Sequence, residues 1–503
     1  WGCRQKCTGI PCRRRRRGGG AGRRIWVSAS EGAGGVKPAL REWPAGNTQI
    51  RHPSPGVRFR IYAGGFAGMH KSDRAYAGLI GMSAIHGIRA YERYAGRETI
   101  RRIEAKARPL RDMHILHMNS TYYGGGVSQI LSSLTLLMNG LGIRTGWRVV
   151  HGPPDFFSVT KKFHNSLQGA DINLTDRKKE IYEGVIRENA MRNHLDHDVV
   201  FIHDPQPLPM ITHYRKRSPW IWRCHVDLTT PNQKVWNYFA PLIEKYDAVI
   251  LSCKEYRQDL RTPQIFFMPA IDPFSIVNRE LSESAIDERL AYYNIPTDLP
   301  LVVQISRFDR WKDPLGVIQA FEKARKEVEC TLVLVGNVAT DDPEGAEVYR
   351  SLLAHRNERV IILSVQDGAL VNALQRRAAV VLQKSIREGF GLTVSEAMWK
   401  GAAVIGGNVG GILHQIRDGE NGFLVSSVDE AAGRIVQLLR DPDLARRLGH
   451  AAHETVRERF LFTRTIEQYL DLIGSFEPEF RLKGMKEPSC EQPENPDRTG
   501  WEP

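Results

Sequence analysis

Two glutamates eight residues apart lie in a segment where carboxylates could do chemistry, SIREGFGLTVSEAMWKG (385–401). Glu388 follows a predicted strand in a glycine-bearing loop, and Glu396 lies in the first turns of the helix predicted next. The two could be an acid and a base, a metal site, ligands for two sugar diols, or solvated charge. A spacing that spans a loop and a helix start does not fix their separation, so the surrounding elements must decide.

A metal site is the less favoured interpretation, because the segment supplies no further carboxylate near the pair. The DxD at 196–198 precedes its predicted strand and is better interpreted as loop charge. We therefore predict that the site uses no metal ion and no cofactor.

A basic pair occurs in SRFDRWKDP (306–314), directly after the predicted strand LVVQIS. Arg307 and Lys312 bracket a turn, and Pro314 lies near the first helical position. Arginine can bind a diphosphate through two parallel hydrogen bonds, and lysine can supply a point charge. Solvated surface charge is the alternative, and the loop alone does not exclude it.

Three glycines occur in YGGGV (123–127), after the first strong strand pattern. Gly125 and Gly126 would let the backbone approach a ligand closely, and the helix behind them would offer N–H groups to a phosphate. The stretch matches neither GxGxxG nor a Walker loop, so a tight turn without a ligand stays open as an alternative.

Histidines and aspartates end two predicted strands of the first series. His203 and Asp204 lie in FIHDPQP, and His225 lies in RCHVD. A single histidine in such a place is more often structural than functional. Two such endings in one half of the chain favour a polar pocket for a sugar.

Short apolar runs alternating with helical patterns must position these residues. We predict strands at 113–118, 147–150, 198–204, 220–227 and 247–252, and a second series at 301–306, 331–336, 359–364, 378–383 and 402–407. The alternation predicts an α/β protein with parallel sheets. Two series predict two doubly wound, Rossmann-like domains facing a cleft, with ligands at the carboxyl ends of the strands. The helical residues from 429 to 473 should pack across both domains.

The formal charge of +13 is concentrated in residues 1–68, which hold fourteen Lys and Arg residues and two Glu residues. The run RRRRR (13–17) could form a nucleic-acid-binding arm. We instead expect a disordered tail, or upstream sequence translated ahead of a start at Met69, and therefore no nucleic acid partner. The seven cysteines form neither a zinc pattern nor a disulfide framework, which predicts a reducing cytoplasm. The apolar runs are too short to span a membrane.

Several segments together resemble a known family: YGGGV, RCHVDLTTPN (223–232), SRFDRWKDP and QKSIREGFGLTVSEAMWKG (383–401). They are similar to the retaining GT-B glycosyltransferases of family 4. FHNSLQG (163–169), HDPQP (203–207) and 381–394 point to the trehalose-forming branch of that family. The resemblance runs from about residue 76 to residue 473 and implies a GT-B fold whose C-terminal helices cross back.

The resemblance divides the chain into four parts. An acceptor domain would occupy 69–290 and a nucleotide-sugar-binding domain 291–475, between the segment 1–68 and a tail at 476–503.

The resemblance also implies roles for the candidate residues. Arg307 and Lys312 would bind the donor diphosphate and stabilise charge on the leaving group. Glu388 would bind hydroxyls of the donor glucose, and Glu396 would bind the ribose diol. The further donor-binding residues would be Gly125, Gly126, His225, Gly389, Phe390, Gly391 and Leu392, and the acceptor-binding candidates are His203 and Asp204.

The implied reaction transfers glucose, with retention, from UDP- or ADP-glucose to free glucose and forms α,α-trehalose by front-face attack without a metal. A retaining trehalose phosphorylase that uses inorganic phosphate, or another family 4 glycosyltransferase, is the alternative. The resemblance is compatible with a homodimer. A dinucleotide oxidoreductase is disfavoured, because the first strand is not followed by GxGxxG with an acidic residue about twenty positions later.

Overall fold

Two parallel six-stranded sheets organise the chain. The computed structural model describes residues 86–337 and 344–476. The expectations for the basic segment 1–68, and for the tail after residue 476, therefore lie outside the described residues.

The first sheet has the strand order β2-β1-β3-β4-β5-β6. Its strands are β1 His114–Asn119, β2 Arg144–Val149, β3 Val199–His203, β4 Trp220–Arg223, β5 Ala248–Leu251 and β6 Gln264–Phe266. The direction of strand addition reverses between β1 and β3, so the loops after these two strands diverge and leave a crevice between them.

The second sheet has the order β12-β11-β10-β7-β8-β9. Its strands are β7 Leu301–Ile305, β8 Thr331–Gly336, β9 Val360–Ser364, β10 Val380–Gln383, β11 Val404–Gly407 and β12 Phe423–Val425. Here the reversal falls between β7 and β10. The loops after these strands carry the predicted basic pair and the predicted glutamate loop, which places both at one crevice.

Fourteen α-helices are described in the two ranges. They are α1 Glu92–Ala95, α2 Arg97–Ala107, α3 Gly126–Gly140, α4 Pro154–Leu167, α5 Asp176–Arg192, α6 Gln233–Ile243, α7 Glu283–Tyr292, α8 Pro314–Ala324, α9 Gly345–Leu352, α10 Gly368–Arg377, α11 Leu392–Trp399, α12 Val428–Arg440, α13 Pro442–Arg459 and α14 Phe462–Gly474. Most of them connect consecutive strands, as parallel pairing requires.

The last described helix returns to the first sheet. Phe462, Ile466 and Tyr469 of α14 are buried in the same apolar cluster as Ile103 of α2 and Leu134 of α3. The preceding helix, α13, contributes Val456 to a cluster with residues of the second half. The chain therefore crosses back after completing its second half, and the predicted α/β fold with returning helices is confirmed.

The helix α7 belongs by packing to the second half. Ile286 and Leu290 lie in one apolar cluster with Val303 of β7 and Leu374 of α10. The predicted boundary at 290/291 falls inside this helix, so we propose that the second half begins before Glu283.

Two short strands were not predicted. β6 and β12 are three-residue strands at an edge of each sheet, and so short a run shows no period in the sequence. The predicted strand 220–227 is also too long, because the β4 ladder ends at Arg223. No helix in the two described ranges is long and apolar enough to cross a lipid bilayer.

Candidate active site

A cavity of about 940 Å³ is lined by loops at the carboxyl ends of both sheets. The first sheet contributes residues after β1, β3 and β4, and the second contributes residues after β7, β8, β9 and β10. All but one of the predicted site residues line it: Gly125, Gly126, Asp204, His225, Arg307, Lys312, Glu388, Gly389, Phe390, Gly391, Leu392 and Glu396. The exception is His203.

The loop after β10 holds the buried Glu388 in an ion pair with the partly buried Lys312. Its Oε2 accepts hydrogen bonds from Lys312 Nζ at 2.6 Å and from Ser385 Oγ at 3.1 Å, and only 6% of Glu388 is exposed. The backbone N–H of Ile386 donates to the carbonyl of Trp311 at 2.8 Å, which ties this loop to the loop after β7. The carboxylate and the ammonium therefore reach the cavity as a preassembled pair.

Glycines allow the same loop to meet the first half of the molecule. A Cβ at Gly389 would lie 2.0 Å from the carbonyl oxygen of His225, closer than any side chain can fit. Gly391 has φ +83°, a left-handed conformation that favours glycine. It is also the N-cap of α11 and has no side chain to cap the first N–H groups of that helix. The start of α11 can therefore accept an anion.

Glu396 lies one turn into α11 and is 2% exposed. Burial raises the pKa of Glu396, and the nearby Lys400 partly opposes that shift. Lys400 itself donates to the backbone carbonyl of Glu396 at 2.9 Å, and to Gln375 Oε1 and Asn278 Oδ1. The two predicted glutamates thus differ: Glu388 has a cationic side chain in direct contact, whereas Glu396 lies in a more desolvated position.

The basic loop is organised by Asp309, which the sequence did not single out. Asp309 is buried, lies 3.7 Å from Arg307 Nη2, and accepts a hydrogen bond from Lys161 Nζ at 2.8 Å. Burial would raise the pKa of Asp309, but the charges of Lys161 and Arg307 outweigh burial and hold that pKa well below its usual range. The carboxylate is therefore ionised and orients cations from both halves.

The helix α4 was also missed as part of the site. Lys161 pairs with Asp309, and Asn165 accepts from Trp311 Nε1 at 3.2 Å and donates to Glu344 at 2.9 Å. His164 of the same helix and Gln168, its C-cap residue, line the cavity. These positions recur at the spacing of one helix face, and that pattern of polar residues was the available signal.

Three histidines form a hydrogen-bonded chain at adjacent strand ends of the first sheet. His117 Nδ1 lies 3.0 Å from His203 Nε2, and His203 Nδ1 lies 3.0 Å from His225 Nε2. His117 and His203 are fully buried, and only His225 is at the cavity wall. The structure therefore does not place His203 against a ligand, because its ring lies between two other imidazoles. The missed signal was one histidine near the carboxyl end of each of three neighbouring strands.

Asp204 holds the end of β3 in shape. Its backbone has φ 63°, and its Oδ1 accepts a hydrogen bond from the N–H of His225 at 2.8 Å. Its own N–H donates to the carbonyl of Arg223. Asp204 thus has a structural role in addition to lining the cavity.

One cluster in the described ranges could hold a metal ion: Cys253, Glu255 and His414, whose candidate ligand atoms all lie within 4.8 Å of one another. His414 Nε2 already contacts Glu255 Oε2 at 3.1 Å, and burial raises the pKa of the Cys253 thiol to about 12. The cluster does not line the cavity.

The sequence matches two family models along most of the described chain. Residues 117–258 match "Trehalose synthase, N-terminal domain", and residues 286–455 match "Glycosyl transferases group 1". The trehalose synthase of Thermococcus litoralis is 44% identical over 396 residues, covering 77% of this chain and 96% of that protein. A trehalose phosphorylase of Pleurotus pulmonarius is 27% identical, covering 68% of this chain and 54% of its own.

A solved structure shares the fold. The Anabaena protein HepE, in complex with UDP-glucose, superposes with a TM-score of 0.55 at 20% identity, covering 72% of this chain and 98% of that chain. Both sheets and both matched domains agree with a GT-B glycosyltransferase. The chain therefore belongs to the trehalose synthase family and is a trehalose-forming glycosyltransferase.

Proposed function

We propose that the protein transfers glucose from a nucleoside-diphosphate glucose to free glucose and forms α,α-trehalose with retention of configuration. The observation that carries the proposal is the ion pair of Lys312 with the buried Glu388 in the cavity, next to the uncapped start of α11. A cation and free N–H groups suit a diphosphate, and a carboxylate suits sugar hydroxyls.

The donor would lie at the carboxyl ends of the strands of the second sheet. Lys312 and Arg307 would contact the diphosphate, and the first N–H groups of α11 would add their dipoles. Glu388 would accept hydrogen bonds from glucose hydroxyls, and Glu396 would accept them from the ribose diol. Gly125 and Gly126, at the start of α3 across the cavity, would let the backbone approach the phosphates.

These groups favour the transition state more than the bound donor. As the bond between C1 and the phosphate oxygen breaks, negative charge grows on the leaving nucleoside diphosphate. Lys312 and Arg307 become more strongly bound to it at that moment, which is where electrostatic stabilisation accelerates a reaction. Asp309 holds Arg307 in place, so little reorganisation is needed.

The remaining steps need no protein nucleophile. The acceptor hydroxyl oxygen bonds to C1 from the face that the phosphate leaves, and its proton passes to the departing phosphate oxygen. The products are trehalose and the nucleoside diphosphate. His225 would contact the donor glucose at the cavity wall. Asp204, which also lines the cavity, is the candidate that would bind the acceptor. Cytoplasmic location and a homodimer stay predictions.

A trehalose phosphorylase is the second candidate, because a relative of that name matches and because the same cations would bind inorganic phosphate. A donor panel decides between the two. The purified protein is incubated with glucose and UDP-glucose, ADP-glucose, GDP-glucose or glucose-1-phosphate, and the disaccharide is analysed by proton NMR. We expect α,α-trehalose from at least one nucleotide sugar. Trehalose formed only from glucose-1-phosphate would reject the proposal.

A further inference from the structure

We propose that His117 and His203 are positioning residues that fix one tautomer of His225, so that its Nδ1–H donates a hydrogen bond to the bound sugar. The proposal rests on the proposed contact between His225 and the donor glucose. It concerns two buried side chains that do not line the cavity.

The order of the strands in the first sheet places the three histidines side by side. β1, β3 and β4 are neighbours, and each has a histidine within two residues of its carboxyl end: His117, His203 and His225. The two contacts along the chain are both 3.0 Å, and each uses one nitrogen of each ring. The ring of His117 is stacked on Phe201, with centroids 4.7 Å apart, so its orientation is fixed.

The environment keeps all three rings neutral. Burial lowers the pKa of His117 to about 3, and it also lowers the pKa values of His203 and His225. The neighbouring buried Arg223 lowers the latter two further by repulsion. A neutral imidazole has one N–H and one lone pair. Each contact therefore needs a donor on one ring and an acceptor on the next.

Only two arrangements satisfy both contacts. In the first, every ring carries its proton on Nδ1: His117 donates to His203, and His203 donates to His225. In the second, every ring carries it on Nε2, and the donations run the other way. The tautomer of His225 is thus set by that of His117 through His203.

The buried end of the chain selects the first arrangement. His117 Nε2 is buried and has no hydrogen-bond partner among the described residues. The second arrangement would leave an N–H group unsatisfied there, whereas the first leaves only a lone pair. Unsatisfied buried N–H groups are the rarer of the two in folded proteins. The aligned N–H dipoles then point their positive end toward the cavity.

The consequence is at the cavity wall. The Nε2 of His225 is occupied by His203, so Nδ1 is the nitrogen left for a ligand. In the selected tautomer this nitrogen is a donor, and it can hydrogen-bond a sugar oxygen without first exchanging a proton. A donor fixed in advance loses less entropy on binding than one that must be selected.

Nitrogen-15 NMR of the full-length protein, labelled at its sixteen histidines, tests the tautomer directly. Single substitutions of each of the three residues assign their signals. At neutral pH we expect all three rings to show a protonated Nδ1 and an unprotonated Nε2. A protonated Nε2 at His225 would overturn the proposal, whatever the activity of the protein.

A matched pair of variants tests the function of the chain. His117→Asn keeps an N–H near the position of Nδ1, and His117→Phe keeps a ring but removes the donor. We expect His117→Phe to lower kcat roughly tenfold, as loss of an outer-shell partner does, and His117→Asn to stay within about threefold of the parent. Equal loss in both variants would show a packing role and overturn the proposal. If His117→Phe fails to fold, the NMR result decides alone.

The two proposals fail separately. If no nucleotide sugar yields trehalose but His225 carries its proton on Nδ1, the donor assignment is wrong and the chain of histidines stands. If trehalose forms but His225 carries its proton on Nε2, the chain does not work as proposed.

Discussion

The loops after the strands of the second sheet present charged side chains to the cavity, and we call this side the charged edge. The strand ends of the first sheet present neutral imidazoles, and we call that side the neutral edge. Lys312 and Glu388 form an ion pair of 2.6 Å on the second sheet. On the first, burial keeps His225 neutral. The difference is compatible with the proposed donor: the cations would contact its charged diphosphate, whereas Glu388 and His225 would contact the uncharged hydroxyls of its glucose. A preformed ion pair and, as proposed, a fixed histidine tautomer both orient polar groups before the ligand binds.

Removing the cation from the charged edge should have the largest effect. We expect Lys312→Ala to lower kcat/KM roughly 1,000-fold, because it removes the charge that is proposed to stabilise the leaving group. It also leaves the buried Glu388 without its cation. Steady-state rates with the best donor measure the loss.

The control for this variant is Arg310→Ala. Arg310 is in the same turn, is half exposed and pairs with Glu344, and it does not line the cavity. Its removal should change kcat/KM by less than about threefold, as for an exposed ion pair. A comparable loss in both variants would mean that the turn, and not the charge at Lys312, is what matters.

The two glutamates of the charged edge should separate in kinetics. We expect Glu388→Gln to lower kcat about 100-fold with little change in donor KM, because its proposed contacts with the glucose hydroxyls would strengthen in the transition state. Glu396→Gln should mainly raise the donor KM, about tenfold, because its proposed contact with the ribose would be the same in the ground and transition states. Equal changes in both parameters for both variants would undo the division of roles.

The link between the halves should show in stability and in its pH dependence. Asp309→Asn removes the carboxylate charge that pairs with the buried Lys161 Nζ at 2.8 Å and should cost about 3 kcal/mol of unfolding free energy. The pKa of Asp309 in the folded protein is below its ordinary value of 3.8. Its contribution is therefore complete above that value and is lost as the pH falls toward the folded pKa.

Calorimetry of the parent and of Asp309→Asn at several pH values checks this. The difference in Tm should be constant from pH 7 to about pH 5 and should shrink below about pH 4. The double variant Lys161→Met/Asp309→Asn is the control and should recover part of the loss. A difference that grows on acidification would contradict the assigned ionisation.

The smallest effect is expected at Asn165, an uncharged side chain of the same helix α4 that contacts the loop after β7. Asn165→Ala removes the acceptor of Trp311 Nε1 and the donor to Glu344. We expect a loss of about 1–2 kcal/mol in unfolding free energy and a kcat within about threefold of the parent. A loss as large as that of Asp309→Asn would show that the charge of the neighbouring pair adds nothing.

The sequence predicts the charged edge better than the neutral one. Arg307, Lys312 and Glu388 follow clear apolar strands, and loops after parallel strands at a reversal point must meet at one crevice. Their placement at the cavity follows from topology alone. Their roles toward a donor stay predictions.

Predicting the contacts of the neutral edge requires the direction of each side chain, and a strand pattern in the sequence does not provide it. His203 was assigned to the acceptor, but its ring points along the sheet to His117 and His225. The sequence predicts the end of β4 four residues late, because the turn at Asp204, where the ladder between β3 and β4 ends, has no apolar pattern that would mark it. Lys161 was missed because its partner Asp309 lies in the other half. Contacts between halves follow from how the two sheets face each other.

The return of α14 to the first sheet has a consequence for how the protein is made. Ile103 of α2 and Leu134 of α3 share their apolar cluster with Phe462 and Ile466. These residues of α2 and α3 are synthesised more than three hundred residues before their partners in α14. Domains usually fold in the order of their synthesis. Here the first domain is left with an uncovered apolar face until the second has been translated. The apolar core of the earlier domain is therefore complete only once the last helix has been synthesised.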